Sequence, residues 1–115
     1  MSERASLKAL TVRQPWAALL LAGIKDVENR PWRTHYRGPL AIHAGARVDR
    51  VGIELFPDVH GPRGVVLGTV ELIDVVRDSD SPWAVGGAWH WVLSDPRPWP
   101  TPYPTVGRLG LWTLF

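Results

Sequence analysis

Lys25 and Glu28 stand three residues apart in the stretch "GIKDVENRPW", Gly23 to Trp32. An ammonium and a carboxylate at that spacing can serve one ligand together, the first as donor and the second as acceptor. Lysine beside a carboxylate suits the holding of a phosphate or oxyanion more than attack as a free amine. Glu28 could act as a general base on water or a hydroxyl if it faces a site. Arg30 follows two residues later. In an extended chain alternate side chains share a face about 7 Å apart, so Glu28 and Arg30 form either an ion pair or a two-armed clamp. Held by Arg30, Glu28 becomes a rigid acceptor for an amino group. As a bare surface pair the two would contribute roughly 0–1 kcal/mol. Lys25 and Glu28 are both expected to be polar rim residues with little buried area.

The following residues broaden the chemistry. "RPWRTHYRGP" sets Arg30, Arg33 and Arg37 among Trp32, His35 and Tyr36. Cations interleaved with flat rings are what a single-stranded nucleic acid requires, for its phosphates and its bases. The competing reading makes Trp32 and Tyr36 core residues with solvated arginines around them. Charge supports the first reading. From Lys8 to Arg47 there are 7 basic and 2 acidic residues, net +5, whereas from Val48 onward 5 basic face 8 acidic, net −3. The amino-terminal third is therefore the candidate anion-facing surface. Of 13 basic residues 11 are arginine, which suits planar recognition of phosphates or bases, and there are 7 tryptophans.

Composition narrows the classes. The chain has 115 residues, 45% hydrophobic and 21% charged, and is expected to form one globular domain over 1–115. No apolar run reaches the roughly 18 residues of a membrane helix. "MSERASLK" lacks the apolar centre of a signal peptide, and the expected location is the cytoplasm. The absence of cysteine excludes disulfide and thiolate chemistry. His35, His43, His60 and His90 have no metal-ligand spacing, and no glycine-rich phosphate loop exists, so neither a metal nor a cofactor is expected.

These residues need elements to position them. "LKALTVR", Leu7 to Arg13, alternates apolar and polar and reads as a strand. "QPWAALLLAG" reads as a short helix, opened by Pro15, closed by Gly23 and apolar on every side. "DVENRPW" reads as a short strand broken by Pro31, and "GPLAIHAG", Gly38 to Gly45, as another. The spacing of Val48, Val51 and Leu55 predicts a helix over Arg47 to Phe56. "GVVLGTVELIDVVR", Gly64 to Arg77, is a long β-branched strand, with Gly68 marking a bend. "AWHWVL", Ala88 to Leu93, is a strand with Trp89 and Trp91 on one face. "PRPWPTPYP" reads as an extended strap, and "LGLWTLF" closes the chain as a last strand. Five or six strands with two short helices make an α+β protein built on a small, partly open β-barrel. Glu71 and Asp74 fall on opposite faces of the long strand. Since unpaired burial is costly, each is expected to have an arginine partner and a structural role.

Several blocks together resemble the ASCH domain, a branch of the PUA-like superfamily. They are "RQPW" at Arg13 to Trp16, "GIKDVENR" at Gly23 to Arg30, "YRGPLAIHA" at Tyr36 to Ala44, "GTVELIDVV" at Gly68 to Val76 and "LGLW" at Leu109 to Trp112. The resemblance implies a small β-barrel, a cleft between barrel and helices, and RNA or a nucleotide as ligand. It places Lys25 and Glu28 in that cleft as the candidate catalytic pair. Arg13, Gln14, Trp16, Arg30, Trp32, Arg33, Arg37 and His43 are the candidate ligand-binding residues. Single-stranded RNA, or a free nucleotide or nucleoside, is the expected partner, and ribonuclease activity is open. An alternative is hydrolysis of a modified nucleoside such as N4-acetylcytidine. PUA-like relatives with that activity use a lysine, a threonine three residues on and a glutamate beyond the long strand. Here Lys25 matches, Glu28 occupies the threonine position, and "DSDSPWAVGG" offers Asp78 and Asp80 but no glutamate. A third possibility is a protein-interaction domain using the tryptophan-rich surface.

Overall fold

The computed structural model describes residues 6–115. Six strands and two short helices follow one another as β1 (Lys8–Gln14), α1 (Trp16–Leu21), β2 (Val27–Arg30), β3 (Gly38–Val48), α2 (Arg50–Leu55), β4 (Val65–Val76), β5 (Trp89–Pro104) and β6 (Leu111–Thr113). All strands join one mixed sheet in the order β2-β5-β4-β3-β1-β6. Only β1 and β3 run parallel. The α+β class, the six strands and the two helices are as the sequence predicts. The sheet is not closed, because β2 and β6 remain its edges.

The central strand shows why the sheet holds. Leu40 to Gly45 of β3 are buried at every position, which requires cover on both faces. One face meets α1: Ala17, Leu20 and Leu21 pack with Leu10, Leu40, Ile42, Val70, Leu72 and Leu93. The other face carries Ala9, Ala41, Val66 and Trp112. Helix α1 has only six residues, too few to be stable alone. Burial of its leucines, at about 1.5–3 kcal/mol for each such side chain, holds it. Gln14 assists: its Oε1 accepts the Ala18 N–H at 2.9 Å and its Nε2 donates to the Pro62 carbonyl at 2.9 Å.

Two elements differ from their predicted bounds. Arg47 and Val48 belong to β3, where Val48 pairs with Gln14, and α2 begins only after Asp49. The Asp49 carboxylate caps it, accepting the Val51 N–H at 3.0 Å. The apolar spacing of Val51 and Leu55 does not face a core, since they are 62% and 63% exposed. The second difference is a merger. "AWHWVL" and the proline strap form one 16-residue strand, β5. Prolines 96, 98, 100, 102 and 104 sit at alternate positions, so their missing N–H groups fall on one edge. The other edge pairs with β4, while the proline edge resists addition of a further strand. Gly68 marks the bend. Its φ is 153°, and a Cβ there would stand 2.3 Å from the Arg97 carbonyl oxygen of β5.

Candidate functional site

The turn after α1 fixes the position of Lys25. Gly23 adopts a φ of 76°, which glycine reaches without strain, and the chain folds back so that the Leu19 carbonyl accepts both the Ile24 and Lys25 N–H groups. The Lys25 ammonium then donates to the Val27 carbonyl and, at 3.1 Å, to Glu28 Oε1. Arg30 Nε donates to Glu28 Oε2 at 3.1 Å, and Arg30 Nη2 to the Thr11 carbonyl of β1 at 2.7 Å. Glu28 is thus gripped by a cation at each oxygen. Lys25 is 6% and Glu28 8% exposed. This corrects the expectation of a polar rim with little buried area: the pair forms the floor of a cleft. Val27 between them points into the core, as strand alternation requires.

An aromatic wall rises beside this floor. Trp16 meets Phe56 edge-on at 5.8 Å between ring centroids and Trp83 at 6.4 Å, and Phe56 and Trp83 lie tilted at 5.7 Å. The three rings come from the start of α1, the end of α2 and the β4–β5 connection. Each is held. The Trp16 indole N–H donates to Asp49 Oδ2 at 2.9 Å, and α2 approaches so closely that a methyl group on Gly52 would stand 2.8 Å from Trp16 Cζ2. The Trp83 segment is pinned from β2 and β5. Asn29 donates to the Trp83 carbonyl and accepts the Val85 N–H, both at 2.9 Å. His90 accepts the Ser79 N–H at 3.2 Å and bonds the Val85 carbonyl at 2.7 Å. Lys25 Nζ lies 5.9 Å from the centroid of Trp16, at the limit of a cation–π contact.

The Trp16 indole, with help from the Gly52 and Val51 N–H groups and the Arg13 charge, holds the Asp49 carboxyl below its ordinary pKa, against partial burial acting the other way. A carboxylate with a depressed folded pKa stabilises the fold above the unfolded value of about 3.9 and loses that contribution as pH falls through the folded value. The Trp16–Asp49 contact is therefore expected to persist from neutral pH down to the ordinary carboxylate range and to weaken only below it. In Asp49→Asn this acid dependence of Trp16 fluorescence should disappear, which a pH titration of the two proteins checks.

Floor and wall enclose a cleft of about 700 Å³, also lined by Thr11, Arg13, Asp49 and Leu55. Its charged lining is Arg13, Lys25 and Arg30 against Glu28 and Asp49, net +1. Among the described residues no group of His, Asp or Glu is placed to hold a metal ion, and no helix is long and apolar enough to cross a membrane. Residues 10–89, most of the chain and all of the floor, match the family model of the ASCH domain. The chain belongs to the ASCH domain family. It is 32% identical to activating signal cointegrator 1 of Homo sapiens and of Mus musculus, over 91% of this chain and 22% of either relative. The chain thus spans about a fifth of the length of these relatives.

The ASCH domain brings some predicted residues into the cleft and leaves others out. Lys25, Glu28, Arg13, Trp16 and Arg30 line it. Gln14 is buried under α1. Trp32 packs edge-on against the buried Trp91 at 4.8 Å, and its carbonyl accepts the Trp91 indole N–H. His43 is buried between Thr11 Oγ1 at 3.2 Å and the Thr105 carbonyl at 2.8 Å. Arg37 donates to the Thr34 and Tyr36 carbonyls and lies 3.6 Å from Asp74, and Arg33 stacks on Trp89. Arg30, Arg33 and Arg37 are therefore each engaged by a different partner. Glu71 makes no ion pair among the described residues; its charge and, more strongly, burial push the Tyr36 hydroxyl pKa up. Phe56, Trp83, Asn29 and Asp49 belong to the ASCH cleft and were not legible as site residues. The available signal was the "SPW" of the β4–β5 connection, a tryptophan placed just after the polar run "DSDS".

Proposed function

We propose that this ASCH domain binds single-stranded RNA by seating one nucleotide in the cleft. The observation that carries the reading is the aromatic wall of Trp16, Phe56 and Trp83 standing beside the Lys25–Glu28–Arg30 floor. A volume of about 700 Å³ falls in the 300–1,000 Å³ range of small-molecule sites and suits one nucleotide more than a long strand. A base against the wall gains about 1–3 kcal/mol from stacking. At the floor, Lys25 has a third N–H to give, and each Glu28 oxygen keeps a second lone pair. A donor and an acceptor stand side by side there, as the polar edge of a base requires. Arg13 at the mouth supplies charge for a phosphate.

Binding is favoured over turnover. Both oxygens of Glu28 already accept from cations, which suits a fixed acceptor and not a proton shuttle. Ribonuclease or amidohydrolase action would rest on Lys25 with no free carboxylate beside it. The test is calorimetric titration with nucleoside monophosphates, short single-stranded RNA and the corresponding duplex. Weak binding of monophosphates, tighter binding of the single strand and recovery of intact RNA are expected. Failure of both monophosphates and single strand to bind, or release of cleavage products, would reject this reading.

A further inference from the structure

Outside the cleft, Arg33 and Arg77 both lie over the indole of Trp89, with Cζ 5.3 Å and 4.8 Å from the ring centroid. One comes from the β2–β3 connection and the other from the residue after β4, so the fold brings them together. Both are exposed. Among the described residues neither has a carboxylate within ion-pair distance, whereas Arg30, Arg37 and Arg97 each have one. Asp78 is next in sequence to Arg77 and forms no ion pair with either. Arg77 Nη2 donates to the Gly87 carbonyl at 3.0 Å, which fixes one edge of its guanidinium and leaves the rest free. Guanidinium groups within about 6 Å of a tryptophan face are held by cation–π attraction. They are also weakly hydrated, and their forked N–H groups match phosphate oxygens.

The position of this pair gives it a role. Trp89 lies directly opposite Arg30 across β2 and β5, and such cross-strand neighbours have Cβ atoms about 4.5–5.5 Å apart. Arg30 lines the cleft. The stacked arginines therefore sit on the strand pair that carries Arg30, next to a residue of the cleft lining.

We propose that Arg33 and Arg77, braced on Trp89, bind the phosphodiester flanking the nucleotide held in the cleft, so that the RNA strand leaves over β2 and β5. This rests on the reading of the cleft as a nucleotide pocket. The test compares wild type with Arg33→Gln/Arg77→Gln, using a fluorescent short single-stranded RNA over a salt series and a nucleoside monophosphate in parallel. Loss of one phosphate contact on a single strand should flatten the slope of log K against log salt by about 0.7 in the double variant, and by less in each single variant. Monophosphate affinity should not change. Both side chains are exposed, and a melting curve matching wild type verifies the fold. If the double variant binds RNA with the wild-type slope while monophosphate binding persists, the arginine site is wrong and the cleft stands. If wild type binds neither probe, cleft and arginine site fall together.

Discussion

Glu28→Ala is expected to destabilise the domain by about 3 kcal/mol. Glu28 is the shared acceptor of Lys25 and Arg30, and its side chain and that of Lys25 are only 11% and 6% exposed. Removing one partner of a buried ion pair strands the other, at a cost of about 3–5 kcal/mol. The partial exposure of Arg30 places this case at the lower end. At roughly 4 °C or more per kcal/mol for a domain of this size, Tm should fall by about 12 °C or more. A double variant, Lys25→Met/Glu28→Leu, should recover part of the loss, because the buried ammonium goes with the carboxylate and only the partly exposed Arg30, still bonded to the Thr11 carbonyl, is left without its ion-pair partner. Thermal and urea melts of the three proteins decide. If Glu28→Ala melts within about 0.5 kcal/mol of wild type, as an ordinary surface substitution would, the three residues are a solvated pair and its neighbour, not a structural floor.

Trp83→Ala should weaken single-stranded RNA binding by about 1–3 kcal/mol, the cost of one lost base stack, which is roughly 5- to 150-fold. The slope against salt should stay unchanged, since no phosphate contact is removed. The segment carrying Trp83 is tied down by Asn29 and His90 rather than by the indole, so the fold should survive. Trp32→Ala provides the contrast. Trp32 packs against buried Trp91, so its loss should cost stability, about 3 kcal/mol or more for a buried large aromatic and less here because Trp32 is only half-buried. A Trp83→Ala protein with wild-type RNA affinity would remove the wall from the account.

Local pattern made part of this architecture readable and left part of it hidden. Alternation in "LKALTVR" and the β-branched run around Gly68 correspond to β1 and β4, because both strands pack a sheet face. The floor was legible for a similar reason: glycine closes α1, and Lys25, Glu28 and Arg30 lie close along one short segment. The wall was not. Trp16 and Trp83 are far apart in the chain, and only tertiary tethers to Asn29, His90 and Asp49 bring the rings together. The Val48, Val51, Leu55 spacing mimics an amphipathic face and so overstates the extent of helix α2, which spans Arg50–Leu55. Backbone pairing with Gln14 instead draws Val48 into β3. The three arginines after Glu28 looked like one basic face. Arg30 is drawn to Glu28, Arg33 to Trp89 and Arg37 to its own loop carbonyls, partners that a linear reading does not rank.

The chain's 7 tryptophans supply the most direct test of the cleft as the RNA-binding site. Their indole N–H resonances, assigned by single Trp→Phe replacements, can be followed during titration with a short single-stranded RNA. Trp16 and Trp83 should shift first and most, Trp89 should follow if the strand crosses the arginine pair, and buried Trp91 and Trp112 should stay near their starting positions. Shifts confined to Trp99 and Trp112, with Trp16 and Trp83 unmoved while RNA binds, would contradict the assignment.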